Sequence, residues 1–236
     1  MRRWPVELIA VRHGQSLTNA AFPAADAAGL EDGGVSGSDA EVALTGLGEE
    51  QARDFGTWLA SRSPGPDVVL SSPYVRARRT TDIAMDALRQ RTGRAPQIRV
   101  DERLRDRELG VLEMRTRAAV RRHFPHEVAR RRMVGEFFYR PAGGESFADV
   151  ALRLRSLMRD ISEDHAGRRV LIVGHDAVVL LLRYIIEGLA IDEVLGLGPV
   201  FNCSVTRWRG GDTELELAEY NAVHHLTPTA PPSSPI

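Results

Sequence analysis

Two histidines in this 236-residue chain leave short apolar runs in the same way. His13 follows VELIAV (6–11) within Arg12-His13-Gly14-Gln15-Ser16, and His175 follows RVLIVG (169–174). A third run, DVVLS (67–71), leads into Ser72-Pro73-Tyr74-Val75-Arg76-Ala77. Runs of this length, rich in β-branched residues, read as buried strands. Open α/β sheets bind ligands at the carboxyl ends of their strands, so the residues just beyond each run are placed for chemistry. If the strands are parallel neighbours, two His and two Arg converge into a compact cationic pocket. Such a pocket suits a phosphoryl group, whose charge is spread over oxygens that guanidinium groups bind well.

Other elements must hold these residues in place. Thr45 reads as the N-cap of a helix to about Ser61, with Glu49 and Glu50 early in it. Pro73 suits a helix's first turn and opens a helix to about Arg91. Residues 97–100 read as a third strand and 101–114 as an ordered loop. Residues 115–138 are Arg-rich and helical in pattern, Gly143-Gly144 breaks the chain, and Ser146 caps a helix through about His165. A helix spans Ala177–Glu187. Ser204–Trp208 and Glu214–Glu219, around Gly210-Gly211, read as a hairpin. Residues 20–43 are rich in Ala, Gly, Ser and Asp and read as a long surface loop, either a functional lid or a flexible insertion. Residues 226–236 are Pro- and Ser-rich, which predicts a disordered tail. Strands alternating with helices predict an α/β fold, a three-layer α/β/α sandwich with a mainly parallel central sheet. We expect one domain over 1–225, with the loop insertion 20–43 and a helical excursion at 111–140.

Composition narrows the function classes. The chain is 43% hydrophobic and 27% charged, with a formal net charge of −1. That balance is ordinary for a globular protein and gives no reason to expect nucleic-acid binding. No apolar window approaches the length of a membrane span, so no membrane partner is expected. The single cysteine, Cys203, excludes an intrachain disulfide and a Cys-based zinc site and fits a reducing compartment. A cleavable leader would remove the first motif, so a cytoplasmic setting is expected. All 31 basic residues are Arg, as GC-rich codons would give. His224-His225 resembles a metal pair only superficially, and neither metal nor cofactor is expected.

Five segments carry a family resemblance. RHGQSLTN (12–19) resembles the R-H-G-[EQ]-[ST]-x-x-N signature of the histidine phosphatase, or phosphoglycerate mutase-like, superfamily. LTGLGEEQA (44–52) is similar to its L-T-x-x-G-x-x-Q-A segment, and Ser71-Ser72-Pro73 with Arg76-Ala77 to its S-S-P-x-x-R-A/T segment. Gly143-Gly144-Glu145-Ser146 matches its G-G-E-S turn, and Val173-Gly174-His175 its V-x-H. The segments occur in the family's order from about residue 6 to 210. A lone His or Arg beyond a strand is usually structural; the ordered set is what raises His13, His175 and Arg76 above that reading.

The resemblance implies a phosphoglycerate mutase-like fold with His13 as nucleophile, forming a phosphohistidine. Arg12, Arg76 and His175 would hold the transferring oxygens, and Asn19 would donate a further hydrogen bond, although it could also simply cap a turn. Gln15 could line the pocket or serve local turn bonding, and Arg140, just before the G-G-E-S turn, could contact substrate. The family's L-x-E-x-x-x-G segment, whose Glu is the general acid, matches Leu104–Gly110 and puts Asp106 at that position. Asp106 is one methylene shorter, which leaves Glu108, Glu102 and Asp176 as rivals; another branch uses a His-Asp dipeptide, but its first motif is absent here. The expected activity is a metal-independent phosphomonoesterase acting on a small phosphorylated substrate. A mutase is the alternative, weakened because Asp106-Arg107-Glu108-Leu109-Gly110 replaces the family mutases' E-R-H-Y-G run. A non-catalytic phospho-ligand-binding module is the third. Specificity should come from 20–43 and 111–140, and the arginines of 121–122 and 130–132 read as a solvated face rather than a polyanion site.

Overall fold

Leu8, Ile9, Ala10 and Val11 are all buried, as are Val170, Leu171, Ile172 and Val173. A strand loses solvent on both faces only when layers cover both, which is why these runs are continuous rather than alternating. In the computed structural model, which describes residues 4–211 and 214–228, the strands are β1 (Glu7–Arg12), β2 (Val68–Ser71), β3 (Ile98–Val100), β4 (Arg169–Gly174), β5 (Val205–Gly210) and β6 (Leu215–Ala222). They form one sheet in the order β3-β2-β4-β1-β5-β6. The first four strands run parallel, and β5 and β6 join antiparallel.

Eight α-helices are described: α1 (Leu17–Ala27), α2 (Gly46–Ser61), α3 (Val75–Thr92), α4 (Arg117–His123), α5 (Pro125–Val134), α6 (Phe147–Asp164), α7 (Asp176–Glu187) and α8 (Ile191–Gly196). Successive strand residues face opposite layers. Ile9, Val11, Leu171 and Val173 pack on Phe55 and Leu59 of α2 and Met85 and Leu88 of α3. Leu8, Ala10, Val170 and Ile172 pack on Leu154, Leu157 and Ile161 of α6 and on Val178 and Leu182 of α7. Each such aliphatic side chain contributes roughly 1.5–3 kcal/mol of burial. The three-layer α/β arrangement is the one the sequence predicts.

Several local expectations are corrected. The segment 20–43 is not all loop, because α1 occupies it to Ala27. Ser16 caps that helix reciprocally with Asn19, and the helix tolerates Pro23 within it. Pro73 lies before the N-cap Tyr74 rather than in the helix's first turn. The short α8 follows α7 without having been expected. Of the expected tail, Leu226 packs beside Ala52, Ile83 and Cys203, and the Thr227 amide donates to Asp54 at 2.8 Å. Residues 229–236 of that expected tail lie outside the described residues. No helix among the described residues is long and apolar enough to cross a membrane.

Candidate active site

Three strands end in register. Arg12 pairs with Gly174, and Ser71 pairs with Val173. The next amides continue the ladder, His13 N to Gly174 O at 2.9 Å and Ser72 N to Val173 O at 3.0 Å. His13, Ser72 and His175 therefore emerge side by side from three neighbouring strands. The two imidazole rings lie edge to face with centroids 5.1 Å apart.

The LTGLGEEQA segment clamps the loop that carries His13. Thr45 caps α2 by accepting from Gly48 N at 3.0 Å, and the Thr45 amide donates to Gln15 O at 2.9 Å. Gln51 Oε1 accepts from Gln15 N at 2.9 Å. The backbones approach so closely that a Cβ on Gly14 would lie 2.3 Å from Gly48 O, and one on Gly48 would lie 2.1 Å from Gln15 O. Thr80 Oγ1 accepts from Gly14 N at 3.0 Å and donates to Arg76 O, tying the loop to α3. Asn202 Nδ2 donates to His13 O at 3.0 Å, and Cys203 N donates to the Arg12 and His13 carbonyls.

The partners of His13 fix its tautomer. Nδ1 lies 2.7 Å from Gly14 O, which can only accept, so Nδ1 carries the proton. Arg76 Nε, which can only donate, lies 3.1 Å from Nε2, so Nε2 presents a lone pair. Burial, reinforced by Arg76, His175 and Arg12, holds the imidazole pKa well below its ordinary value. The ring is neutral at physiological pH, with its Nε2 electron pair facing the Arg76 Nε–H.

Arg76 is the hub. Besides His13, its guanidinium donates to the Asp39 carbonyl, to Asp39 Oδ2 at 3.0 Å and to Asp106 Oδ2 at 2.9 Å. Burial opposes the Arg76 charge, but Asp106 and Asp39 outweigh it and raise its pKa. His175 is fully buried. Its Nε2 pairs with Ser72 Oγ at 2.8 Å. Its Nδ1 faces Asp106 Oδ2 at 3.1 Å. Burial lowers the His175 pKa against the raising effect of Asp106. Arg12 Nη1 donates to Val200 O at 2.6 Å, and its Nε is buried without a hydrogen-bond partner among the described residues.

The G-G-E-S turn holds the Asp106 loop. Glu145 accepts from Arg105 Nη2 at 2.8 Å and from Arg153 Nε and Nη2 at 3.0 Å. Arg153 Nη2 also donates to Asp106 O at 3.0 Å. Burial would raise the Asp106 carboxyl, but His175 and Arg76 outweigh it and hold it well below the usual carboxylate range.

Arg12, His13, Asn19, Asp39, Arg76 and Asp106 line one cavity of about 660 Å3. Asn19 does two things: its Oδ1 accepts from Ser16 N and Asn202 Nδ2, and the residue faces the cavity. Of the remaining candidates, Glu108 and Asp176 line the cavity. Glu108 pairs with Arg105, and Asp176 Oδ1 accepts from its own helix at Ala177 N. Gln15 and Arg140 stand apart from the cavity lining: Gln15 accepts from Thr45 Oγ1 at 2.9 Å, and Arg140, 58% exposed, pairs with Asp149. Arg121, Arg131 and Arg132 are exposed, in line with a solvated face, and they also border the cavity. His225 is occupied by Cys203 O at 3.0 Å and packs on Phe55 and Trp58. Sequence reasoning missed Asp39, Ser72, Thr80 and Asn202. Ser72 alone carried a signal, lying inside a recognised motif.

A doubly covered sheet with histidines and arginines at its carboxyl edge defines a phosphoryl-handling class of α/β protein. The sequence profile of the histidine phosphatase superfamily, branch 1, matches residues 8–223, and the chain belongs to that family. It is similar to the probable phosphoglycerate mutase GpmB of Erwinia tasmaniensis, 30% identical over 233 residues, which cover 95% of this chain and 97% of that one. Among solved structures it resembles mycobacterial glucosyl-3-phosphoglycerate phosphatase, with TM-score 0.68 and 27% identity over 94% of this chain and all (100%) of the other. Bacillus stearothermophilus YhfR gives TM-score 0.76 and 25% identity, over 94% and 99% of the two chains.

Proposed function

We propose that this chain is a metal-independent phosphomonoesterase that transfers the phosphoryl group of a small phosphate ester first to His13 and then to water. The single observation that carries the reading is the tautomer of His13. A proton locked on Nδ1 by Gly14 O leaves the Nε2 pair directed at Arg76 in a shared cavity. A neutral, oriented imidazole among cationic donors is an activated nucleophile for a dianionic phosphate. Arg76 and Arg12 neutralise charge that builds on the equatorial oxygens, a task that divalent cations perform in other phosphoryl-transfer sites. Arg12 Nε, a buried donor without a partner among the described residues, is a group an anion would satisfy. A carboxyl beside Arg76 supplies the proton for the leaving alcohol. Arg121 and Arg132, which border the same cavity, favour a leaving group that carries its own negative charge.

Purified protein and His13→Ala should be assayed on p-nitrophenyl phosphate with EDTA, together with acid-quench trapping of labelled phosphohistidine. Turnover and label in the wild type, both absent in the variant, are expected. Turnover that needs a metal and survives loss of His13 would sink the reading. A mutase is the second reading, favoured by the names of the relatives at 28–30% identity. Interconversion of 2- and 3-phosphoglycerate outpacing phosphate release would establish it instead.

A further inference from the structure

Asp39 belongs to the stretch between α1 and α2 that carried no chemical motif, yet its carboxylate reaches the centre of the site. Asp39 Oδ2 and Asp106 Oδ2 accept from the same nitrogen, Arg76 Nη2, at 3.0 and 2.9 Å. Both side chains border the cavity, 26% and 21% exposed. Two carboxylates at one nitrogen form a pair that holds a proton more readily than either carboxylate alone.

Their surroundings differ in one decisive respect. Both oxygens of Asp106 are engaged as acceptors: Oδ1 takes the Arg107 amide at 2.9 Å, and Oδ2 takes Arg76 and faces His175 Nδ1. A proton on Asp106 would break one of these contacts. Asp39 accepts only through Oδ2, and its Oδ1 meets no donor among the described residues. We propose that Asp39 and Asp106 share one proton, that Asp39 Oδ1 carries it, and that Asp39 is the general acid that protonates the leaving oxygen while Asp106 stays ionised to hold Arg76 and His175. This deepens the phosphomonoesterase reading and rests on it.

The groups facing Asp39 come from every side. Arg76 and Tyr74 approach at the start of α3, Asp106 from its loop and His175 from the end of β4. Glu113 Oε1 accepts the Asp39 amide at 2.8 Å. On its own short 3-10 turn, Glu41 is occupied by Ser38. Burial raises the Asp39 carboxyl, Arg76 opposes, and Asp106 raises it further, opposite to the direction for Asp106. Environments that drive two neighbouring carboxyls apart are the arrangement that separates an acid from an ionised partner.

In the first half-reaction the Nε2 pair of His13 forms the N–P bond as the ester P–O bond breaks. The departing electron pair goes to the leaving oxygen, which takes the Asp39 proton and leaves as alcohol. In the second half-reaction water attacks phosphorus and gives its proton to the Asp39 carboxylate. The N–P electrons return to Nε2, inorganic phosphate departs, and protonated Asp39 is restored.

The test compares leaving groups. An alkyl phosphate such as glycerol 2-phosphate needs a proton at its leaving oxygen, whereas p-nitrophenolate departs as a stable anion. Asp39→Asn should lower kcat/KM for glycerol 2-phosphate by about 10²–10⁴-fold, the usual range for a lost general acid, and at least tenfold less for p-nitrophenyl phosphate. The alkaline limb of the glycerol 2-phosphate profile should move with it. Asp106→Asn should reduce both substrates alike. Equal losses on both substrates in Asp39→Asn would reduce Asp39 to a positioning residue for Arg76 and overturn the proposal. A gain in activity with tighter inhibition by inorganic phosphate would show instead that Asp39 competes with the phosphate. Carbon-13 NMR titration of the full chain gives a readout that needs no turnover. Asp39 should titrate above the usual carboxylate range and Asp106 below it, and the reverse order would refute the assignment. Loss of phosphohistidine from wild-type protein would instead indict the phosphomonoesterase reading, which His13→Ala tests separately.

Discussion

Gly46 and Gly48 lie two residues apart at the start of α2, and their replacement by Ala should have opposite effects. A Cβ on Gly46 meets nothing within 4 Å. There the substitution reduces the freedom of the unfolded chain and should stabilise by roughly 0.4–1 kcal/mol. A Cβ on Gly48 lies 2.1 Å from Gln15 O and 2.9 Å from Gln15 N. A carbon and a carbonyl oxygen need roughly 3.3 Å, so the helix and the His13 loop must separate by about 1 Å. Neither side yields cheaply, because Thr45 and Gln51 hold Gln15 from the same helix. Overpacking of this kind costs about 1–3 kcal/mol. In a chain of this size that lowers Tm by roughly 2–12 °C. A shift of about 1 Å at a nucleophile can cost on the order of 10²-fold in rate. Thermal unfolding of both variants, with kcat and KM for p-nitrophenyl phosphate, makes the comparison. Gly46→Ala should hold or raise Tm and keep kcat, while Gly48→Ala should lower both with little change in KM. Similar Tm and kcat for the two variants would refute the claim that the closeness of α2 sets the His13 position.

Replacing Arg76 by Lys keeps the charge but loses the fork that reaches His13, Asp39 and Asp106 together. We expect kcat to fall by about 10²–10³-fold, as when one transition-state donor is removed; a variant within tenfold of wild type would rule out the cage. Glu145→Ala leaves Arg153, 10% exposed, without its carboxylate, and should cost about 3 kcal/mol in chemical denaturation, a loss below 1 kcal/mol arguing against the latch. Stability should fall as pH drops below about 6.5. His13, His175 and His225 all have folded pKa values below their unfolded ones, His225 down to about 4 by burial. The unfolded chain therefore binds protons first, and each such His adds a slope of up to about 1.4 kcal/mol per pH unit. His225→Leu should flatten denaturation curves measured between pH 6.5 and 4 by about one proton, and an unchanged slope would disprove its share. Arg132→Ser should raise KM for esters of anionic alcohols and leave KM for neutral ones and Tm unchanged, equal KM shifts counting against the distal anion contact.

What was legible in the sequence follows from the range of the interactions involved. The three apolar runs announce strands because burial on both faces keeps Leu8–Val11, Val68–Leu70 and Val170–Val173 uninterrupted by polar residues, and His13, Ser72 and His175 follow at their ends. Parallel register then does the rest: Arg12 opposite Gly174 is enough to bring two residues distant in sequence into ring contact. The Ser16 and Asn19 cap was visible as polar residues but not as a helix start, because Pro23 and the Ala-rich stretch after it gave no apolar period. Asn19 looked like either a cap or a ligand contact; one amide oxygen serves the cap while the residue still borders the cavity. Arg121 and Arg132 illustrate a different limit. A helix turned toward a water-filled cleft shows the same polar face as one turned toward bulk solvent, so periodicity alone assigns them to the surface. Asp39 is the strongest case, since its neighbours in sequence are small and irregular and its partners are Arg76 and Asp106. A carboxylate gains chemical meaning from the cation and the second carboxylate beside it, and neither is local. In a loop without pattern, only the fold decides which side chains reach the reacting atoms.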